Sequence, residues 1–274
     1  MTKRIDFSHL LISGFRQGLR FISVKGLDFC HQDLISLSVS CFAETKTFYI
    51  TRHGQRGDPK YQKKFKYCDE DALMPKGEEQ AKRLGQYLNQ QGFRGTIYVS
   101  PYYRTLQTAT FAASQLPDLP MILEPRIQEV AGVKDNSGKV RYIKKCLTKK
   151  EIRTNFPKIK IPGSFKFPWR IENEKESQLD QRVGNMIDDL LKNSDGEVFI
   201  VGHGGVMAGV VREMNKRGAD FPRTKVYNCC LYKFVFDIES GRVIESSDET
   251  LNYLPDELIT DNLAYMLLYP KREK

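Results

Sequence analysis

The sequence predicts an α/β fold, with a mostly parallel central sheet flanked by helices on both faces. Three observations predict it. Short apolar, β-prone runs alternate with longer segments whose apolar residues recur at helical spacing. Two of those runs end in a histidine followed at once by glycine. At 274 residues the chain is long enough to bury one large core. Such alternation builds βαβ units, whose strands run parallel and whose ligands bind beyond the carboxyl ends of the strands.

Residues 1–43 are read as an N-terminal extension, loosely attached or adding a strand or two. Leu10-Leu11-Ile12 and Leu34-Ile35 are interleaved with Arg16, Arg20 and Lys25. The continuous apolar core of a secretory signal is missing, and Asp6, Asp28 and Asp33 argue against a transit peptide. Residues 44–274 are expected to form the main domain, the one that carries the histidine-bearing strand ends. Thr47–Thr51 is its first buried strand. Lys76–Gln91 follows as a helix with Ala81, Leu84, Gly85 and Leu88 on one face and Gly92 as the stop.

Thr96–Val99 is the second strand. Ser100-Pro101 opens a helix in which Leu106, Ala109, Ala113 and Leu116 share a face. Met121–Leu123 is the third strand. Residues from about 130 to 175 read as a loop-rich insertion, because Pro157, Pro162, Gly163 and Pro168 break it. Glu176–Leu191 is an amphipathic helix, Val198–Val201 a strand and Gly205–Asn215 an apolar helix. Leu231–Phe236 and Arg242–Ser246 close the domain as a hairpin.

Composition narrows the class. No apolar run reaches the eighteen residues of a transmembrane helix. Six cysteines form no C-x-x-C pair, so they read as reduced thiols of a cytoplasmic protein, with Cys229 and Cys230 buried in a strand-like stretch. No H-E-x-x-H or Cys/His cluster points to zinc, and no metal or organic cofactor is expected. The net charge of +9 is local: twelve basic residues fall between Lys134 and Arg170, opposed only by Asp135 and Glu151. With Phe156, Phe165, Phe167 and Trp169 among them, these cations suit a multiply charged or bulky anionic substrate. No nucleic-acid-binding motif is present, and a homodimer is allowed.

The two histidine-bearing strand ends carry the chemistry. Phe48-Tyr49-Ile50-Thr51 leads into Arg52-His53-Gly54, and Val198-Phe199-Ile200-Val201 leads into Gly202-His203-Gly204. A neutral imidazole is a competent nucleophile near pH 7 when one nitrogen donates its proton to a fixed acceptor. Glycine after His53 permits the close backbone approach that lets a carbonyl hold the ring. A phosphoryl group needs forked, permanently charged donors, which arginine supplies. Arg52 lies beside the nucleophile, and Arg104 sits where a helix N-terminus meets the same edge. A charged His203 would complete an electropositive pocket.

The arrangement resembles the histidine phosphatase superfamily, the phosphoglycerate-mutase-like group, over about residues 46–236. The matching motifs are Arg52-His53-Gly54, Pro75-Lys76-Gly77-Glu78-Glu79-Gln80-Ala81, the run from Ser100-Pro101 through Arg104 to Gln107-Thr108-Ala109, and Gly202-His203-Gly204. The resemblance implies a phosphohistidine on His53, with Arg52, Arg104 and His203 on the phosphoryl oxygens and the insertion at about 130–175 as a lid over the pocket. It also implies an acid that protonates the leaving oxygen and then activates water: Glu129 by position, with Glu124 and Asp135 as rivals. The continuation Gln55-Arg56-Gly57-Asp58-Pro59 lacks the Asn of mutases and resembles the acid-phosphatase pattern. It is nearest to the group related to protein-tyrosine and steroid-phosphate phosphatases, which makes Arg56 a further phosphate ligand. A phosphoglycerate-type mutase and a catalytically silent phosphate-binding module are the alternatives.

Overall fold

The computed structural model describes residues 15–16, 19–20, 44–57, 72–130, 147–166, 174–222 and 226–260. The chain divides into two units, Met1–Phe42 and Ala43–Lys274. In the first, β1 (Phe15–Arg16) and β2 (Leu19–Arg20) pair antiparallel.

The second unit is built on a sheet whose strands are β3 (Thr45–Arg52), β4 (Thr96–Val99), β5 (Met121–Leu123), β6 (Ile159–Lys160), β7 (Val198–Gly202), β8 (Leu231–Asp237) and β9 (Val243–Asp248). Their order is β6-β5-β4-β7-β3-β8-β9. The five from β6 to β3 run parallel. β8 lies antiparallel against β3, and β9 closes the expected hairpin on β8. Five helices accompany the sheet among the described residues: α1 (Pro75–Gln90), α2 (Tyr103–Ala113), α3 (Lys149–Asn155), α4 (Glu176–Asn193) and α5 (Gly204–Lys216).

Strand alternation divides the core into two layers. Phe48, Ile50, Val198 and Ile200 join Leu179, Val183 and Met186 of α4 and Val206 and Val210 of α5. Tyr49, Ile97, Val99, Phe199 and Val201 join Leu84 and Leu88 of α1 and Leu106 and Ala109 of α2. Each of these large side chains contributes about 1.5–3 kcal/mol by leaving water. Both sheet faces are thus covered, and the carboxyl edge of the parallel strands is left for loops.

The expected loop-rich insertion differs where it is described. Thr148 accepts the backbone N–H of Glu151, and the Glu151 carboxylate accepts the backbone N–H of Thr148, so a capping box starts α3. Ile152, Phe156 and Ile159 are buried, and β6 extends the sheet with Ile159 opposite Met121. Pro157 separates helix from strand and does not prevent either. The remaining stretches of the proposed lid, 131–146 and 167–173, lie outside the described residues. Among the described residues no helix is long and apolar enough to cross a membrane.

Candidate active site

Strand register assembles the site. Thr51 of β3 and Val99 of β4 both stand opposite Val201 of β7. The residues that follow, Arg52-His53, Ser100 and Gly202-His203, therefore leave the sheet side by side at its carboxyl edge. The rings of His53 and His203 lie 5.5 Å apart.

His53 is held from three sides. Its backbone N–H donates to the Gly202 carbonyl at 3.0 Å. Its carbonyl accepts from Asn228 Nδ2 at 3.2 Å and from the backbone N–H of Cys229, which also reaches the Arg52 carbonyl. The ring nitrogen Nδ1 lies 2.8 Å from the carbonyl of Gly54. A carbonyl only accepts, so Nδ1 carries the proton and Nε2 keeps its lone pair. Burial, with Arg104, Arg52 and Arg56 nearby, pushes the imidazole pKa well below its usual value, so the ring is neutral at pH 7.

The turn after His53 needs glycine at two places. A Cβ on Gly54 would stand 2.5 Å from the Gly77 carbonyl oxygen, and one on Gly77 would stand 2.2 Å from that of Gln55. The backbone of this turn therefore packs directly on the start of α1. Gln80 of α1 fixes it further, accepting the Gln55 N–H at 2.8 Å while its own amide donates to the Leu258 carbonyl. Thr108 of α2 accepts the Gly54 N–H at 3.0 Å.

Three arginines converge here. Arg52 is buried, and its Nη1 donates to the Val226 carbonyl at 2.8 Å. Arg104, in the first turn of α2, lies with its guanidinium 4.6 Å from the Tyr102 ring centroid and donates from Nη2 to His203 Nδ1 at 2.9 Å. Its buried Nε has no acceptor among the described residues. A buried guanidinium N–H without an acceptor is costly, and an anion would satisfy it. Arg56 is half-buried, its backbone bridged to Leu73, and its charge lowers the pKa of both histidines.

Glu129 completes the cluster. Its Oε1 accepts the N–H of Gly205, at the start of α5, at 3.1 Å and that of Val130 at 3.0 Å. Its Oε2 lies 3.9 Å from His203 Nδ1. Burial raises its pKa against the opposing pull of Arg104, the Val130 N–H, Arg52 and Arg56. Arg182 of α4 steadies the preceding turn by donating to the Arg126 carbonyl at 2.5 Å and the Gln128 carbonyl at 3.2 Å. Of the rivals, Glu124 is gripped by Arg126 through both carboxylate oxygens, at 2.8 and 2.7 Å. Asp135 lies outside the described residues.

One expectation is corrected. A charged His203 was expected, but its Nδ1 accepts from Arg104 and its Nε2 lies 2.8 Å from Ser100 Oγ. Burial and the surrounding cations push its pKa well below the usual value, so the ring is neutral. Cys229 and Cys230 are buried, as the sequence suggested, and burial raises both thiols, Cys230 to about 12.

The sequence model of the histidine phosphatase superfamily (branch 1) matches residues 48–249, which contain every residue of this cluster. The chain belongs to that superfamily. Members of this superfamily are phosphatase- or mutase-type enzymes that act through a histidine, and in this chain two histidines stand at the shared edge. An uncharacterized phosphoglycerate mutase family protein of Acanthamoeba polyphaga mimivirus is 29% identical over 144 residues, 52% of this chain and 63% of that relative's length. The fold is similar to that of the ecdysone phosphate phosphatase of Bombix mori, solved with tungstate. That likeness has a TM-score of 0.53 and 16% identity, covering 73% of this chain and 92% of the other. It is also similar to Bacillus stearothermophilus YhfR, with a TM-score of 0.50 and 20% identity, covering 75% and 96%.

His53, Arg52, Arg56, Arg104, Glu129 and His203 are thus brought together. The residues that hold them were not singled out from sequence. Ser100, Thr108 and Gln80 lay inside the quoted motifs, so their signal was present but not their task. Asn228 and Arg182 carry no local signal.

Proposed function

We propose that this chain is a histidine acid-type phosphatase that hydrolyses phosphate monoesters through a phosphohistidine on His53. The observation that supports this most directly is the His53 Nδ1–H bond to the Gly54 carbonyl, which leaves Nε2 with its lone pair to act as the nucleophile. Nε2 attacks phosphorus as the ester P–O bond breaks, and protonated Glu129 donates its proton to the leaving oxygen. Glu129, now a carboxylate, takes a proton from water as that water attacks phosphorus and the N–P bond breaks. The raised pKa of Glu129 suits the first half of this cycle. Arg52, Arg56 and Arg104 hold the phosphoryl oxygens, with His203 against Arg104.

The substrate in this reading is an anionic phosphorylated small molecule or phosphoprotein. The six exposed cations of residues 147–166 favour one with further negative charge. The free thiols of Cys229 and Cys230 fit a cytoplasmic location.

The test is metal-free hydrolysis of p-nitrophenyl phosphate by wild type and His53→Ala between about pH 4 and 8. Turnover lost in the variant supports the reading, and near-normal turnover in His53→Ala sinks it. With a phosphate ester of a polyol as substrate, phosphoryl transfer to a second hydroxyl, without free phosphate, would indicate a mutase. Phosphate binding without turnover would indicate a silent module.

A further inference from the structure

His203 is bracketed by partners of opposite kinds. Arg104 Nη2 lies 2.9 Å from Nδ1, and Ser100 Oγ lies 2.8 Å from Nε2. A guanidinium only donates, so Nδ1 accepts, and Nε2 must carry the ring proton and donate it to Ser100. The other tautomer would set N–H against N–H. An imidazolium would set two cations in contact in a pocket that also holds Arg52 and Arg56. The carboxylate nearest His203, Glu129, stands 3.9 Å away with its other oxygen on two backbone N–H groups.

Ser100 is built to hold its place. It is fully buried at the end of β4. Its N–H donates to the Val201 carbonyl at 3.1 Å, and its carbonyl accepts from Thr105 Oγ1 at 2.8 Å. The Tyr102 ring packs edge-on to His203 at 4.5 Å and lies 4.6 Å from the Arg104 guanidinium. Hydroxyl, imidazole and guanidinium therefore form one fixed line ending at the phosphoryl site.

We infer that Ser100 is a positioning residue: by accepting a hydrogen bond from Nε2–H it fixes the orientation of the His203 ring, whose tautomer Arg104 sets, and His203 in turn aims Arg104. His203 then acts on the phosphoryl group through Arg104 and not as a cation. This rests on Arg104 being a phosphoryl ligand, as in the proposed reaction.

The experiment labels histidine with ¹⁵N in the full chain, which has only four histidines. His203 is assigned with a His203→Gln variant, and long-range ¹H–¹⁵N correlations are read from about pH 5.5 to 8. The expected wild-type signal is a neutral ring protonated at Nε2. Ser100→Ala is expected to leave the tautomer as Arg104 sets it, to move the Nε2–H proton signal upfield as its hydrogen bond is lost, and to weaken inorganic phosphate binding about tenfold, the effect of leaving one buried partner unsatisfied. Ser100→Thr is expected to restore both. An imidazolium or Nδ1–H pattern in the wild type overturns the inference. So does Ser100→Ala with either the Nε2–H proton signal or the phosphate affinity unchanged. The wild-type spectrum decides alone if Ser100→Ala does not fold. No readout needs turnover, so a chain that fails to hydrolyse esters yet shows the Nε2–H pattern refutes only the proposed reaction.

Discussion

Replacing Glu129 by Gln removes one ionisable proton and almost nothing else. The carboxylate spends Oε1 on the N–H groups of Gly205 and Val130, and a Gln carbonyl accepts both equally well. The amide nitrogen takes the place of Oε2, 3.9 Å from His203 Nδ1. The loss is then confined to proton transfer. General acid catalysis contributes about 10²–10⁴-fold, or roughly 3–5 kcal/mol of barrier. An alkyl phosphate, whose leaving oxygen needs the proton, should be hydrolysed about 10²–10³-fold more slowly; p-nitrophenyl phosphate should lose less than about tenfold.

Stability moves the other way. Burial raises the Glu129 pKa in the folded state, so the group's stabilising contribution is present below its unfolded value and is lost as pH rises through the folded value. As pH rises above the unfolded value the carboxyl carries a growing cost that Gln does not, either from staying protonated or from ionising where it is buried. Glu129→Gln should therefore melt above wild type at pH 7.5, with the gap closing toward about pH 4. Initial rates on both esters and melting curves at the two pH values measure this. Equal slowing of both esters, or a melting difference independent of pH, would refute the reasoning.

Two further outcomes are expected. Arg182→Met leaves the Glu174 carboxylate buried without the guanidinium that grips it and releases the carbonyls before Glu129; it should cost about 3–5 kcal/mol, or roughly 6–20 °C in Tm. A drop under about 2 °C in the melting curve would show that the pair does not hold this turn. Gly77→Ala drives a methyl into the Gln55 backbone, which should cost about 1–3 kcal/mol and lower kcat/KM for p-nitrophenyl phosphate at least about tenfold. Gly163→Ala, with nothing within 4 Å of its Cβ, is the matched control and should change neither.

The parts of this fold most legible in the sequence are those set by local chemistry. Thr96–Val99 and Met121–Leu123 fall where β-prone apolar runs put them, and the helices follow their apolar faces to within a turn. In the basic insertion, prolines and charge point to a loop, but the capping box at Thr148 and Glu151 starts a helix in its described part. Three buried apolar residues, Ile152, Phe156 and Ile159, then decide its structure by joining the core. Propensity is a weak prior where packing supplies several kcal/mol.

At the site, the sequence by itself determined which groups exist: two histidines delivered by strands, arginines with forked donors, glycines where backbones must touch. It did not determine that β7 lies between β4 and β3, the arrangement that sets Ser100, His203 and His53 abreast. Nor did it determine the charge of His203, which was expected to be positive and is neutral. Strand order and hydrogen-bond partners join residues far apart in the chain, Ser100 to His203 and Glu129 to Gly205 among them. A protonation state depends on which of those partners arrive and how much water leaves. Tertiary structure alone fixes both.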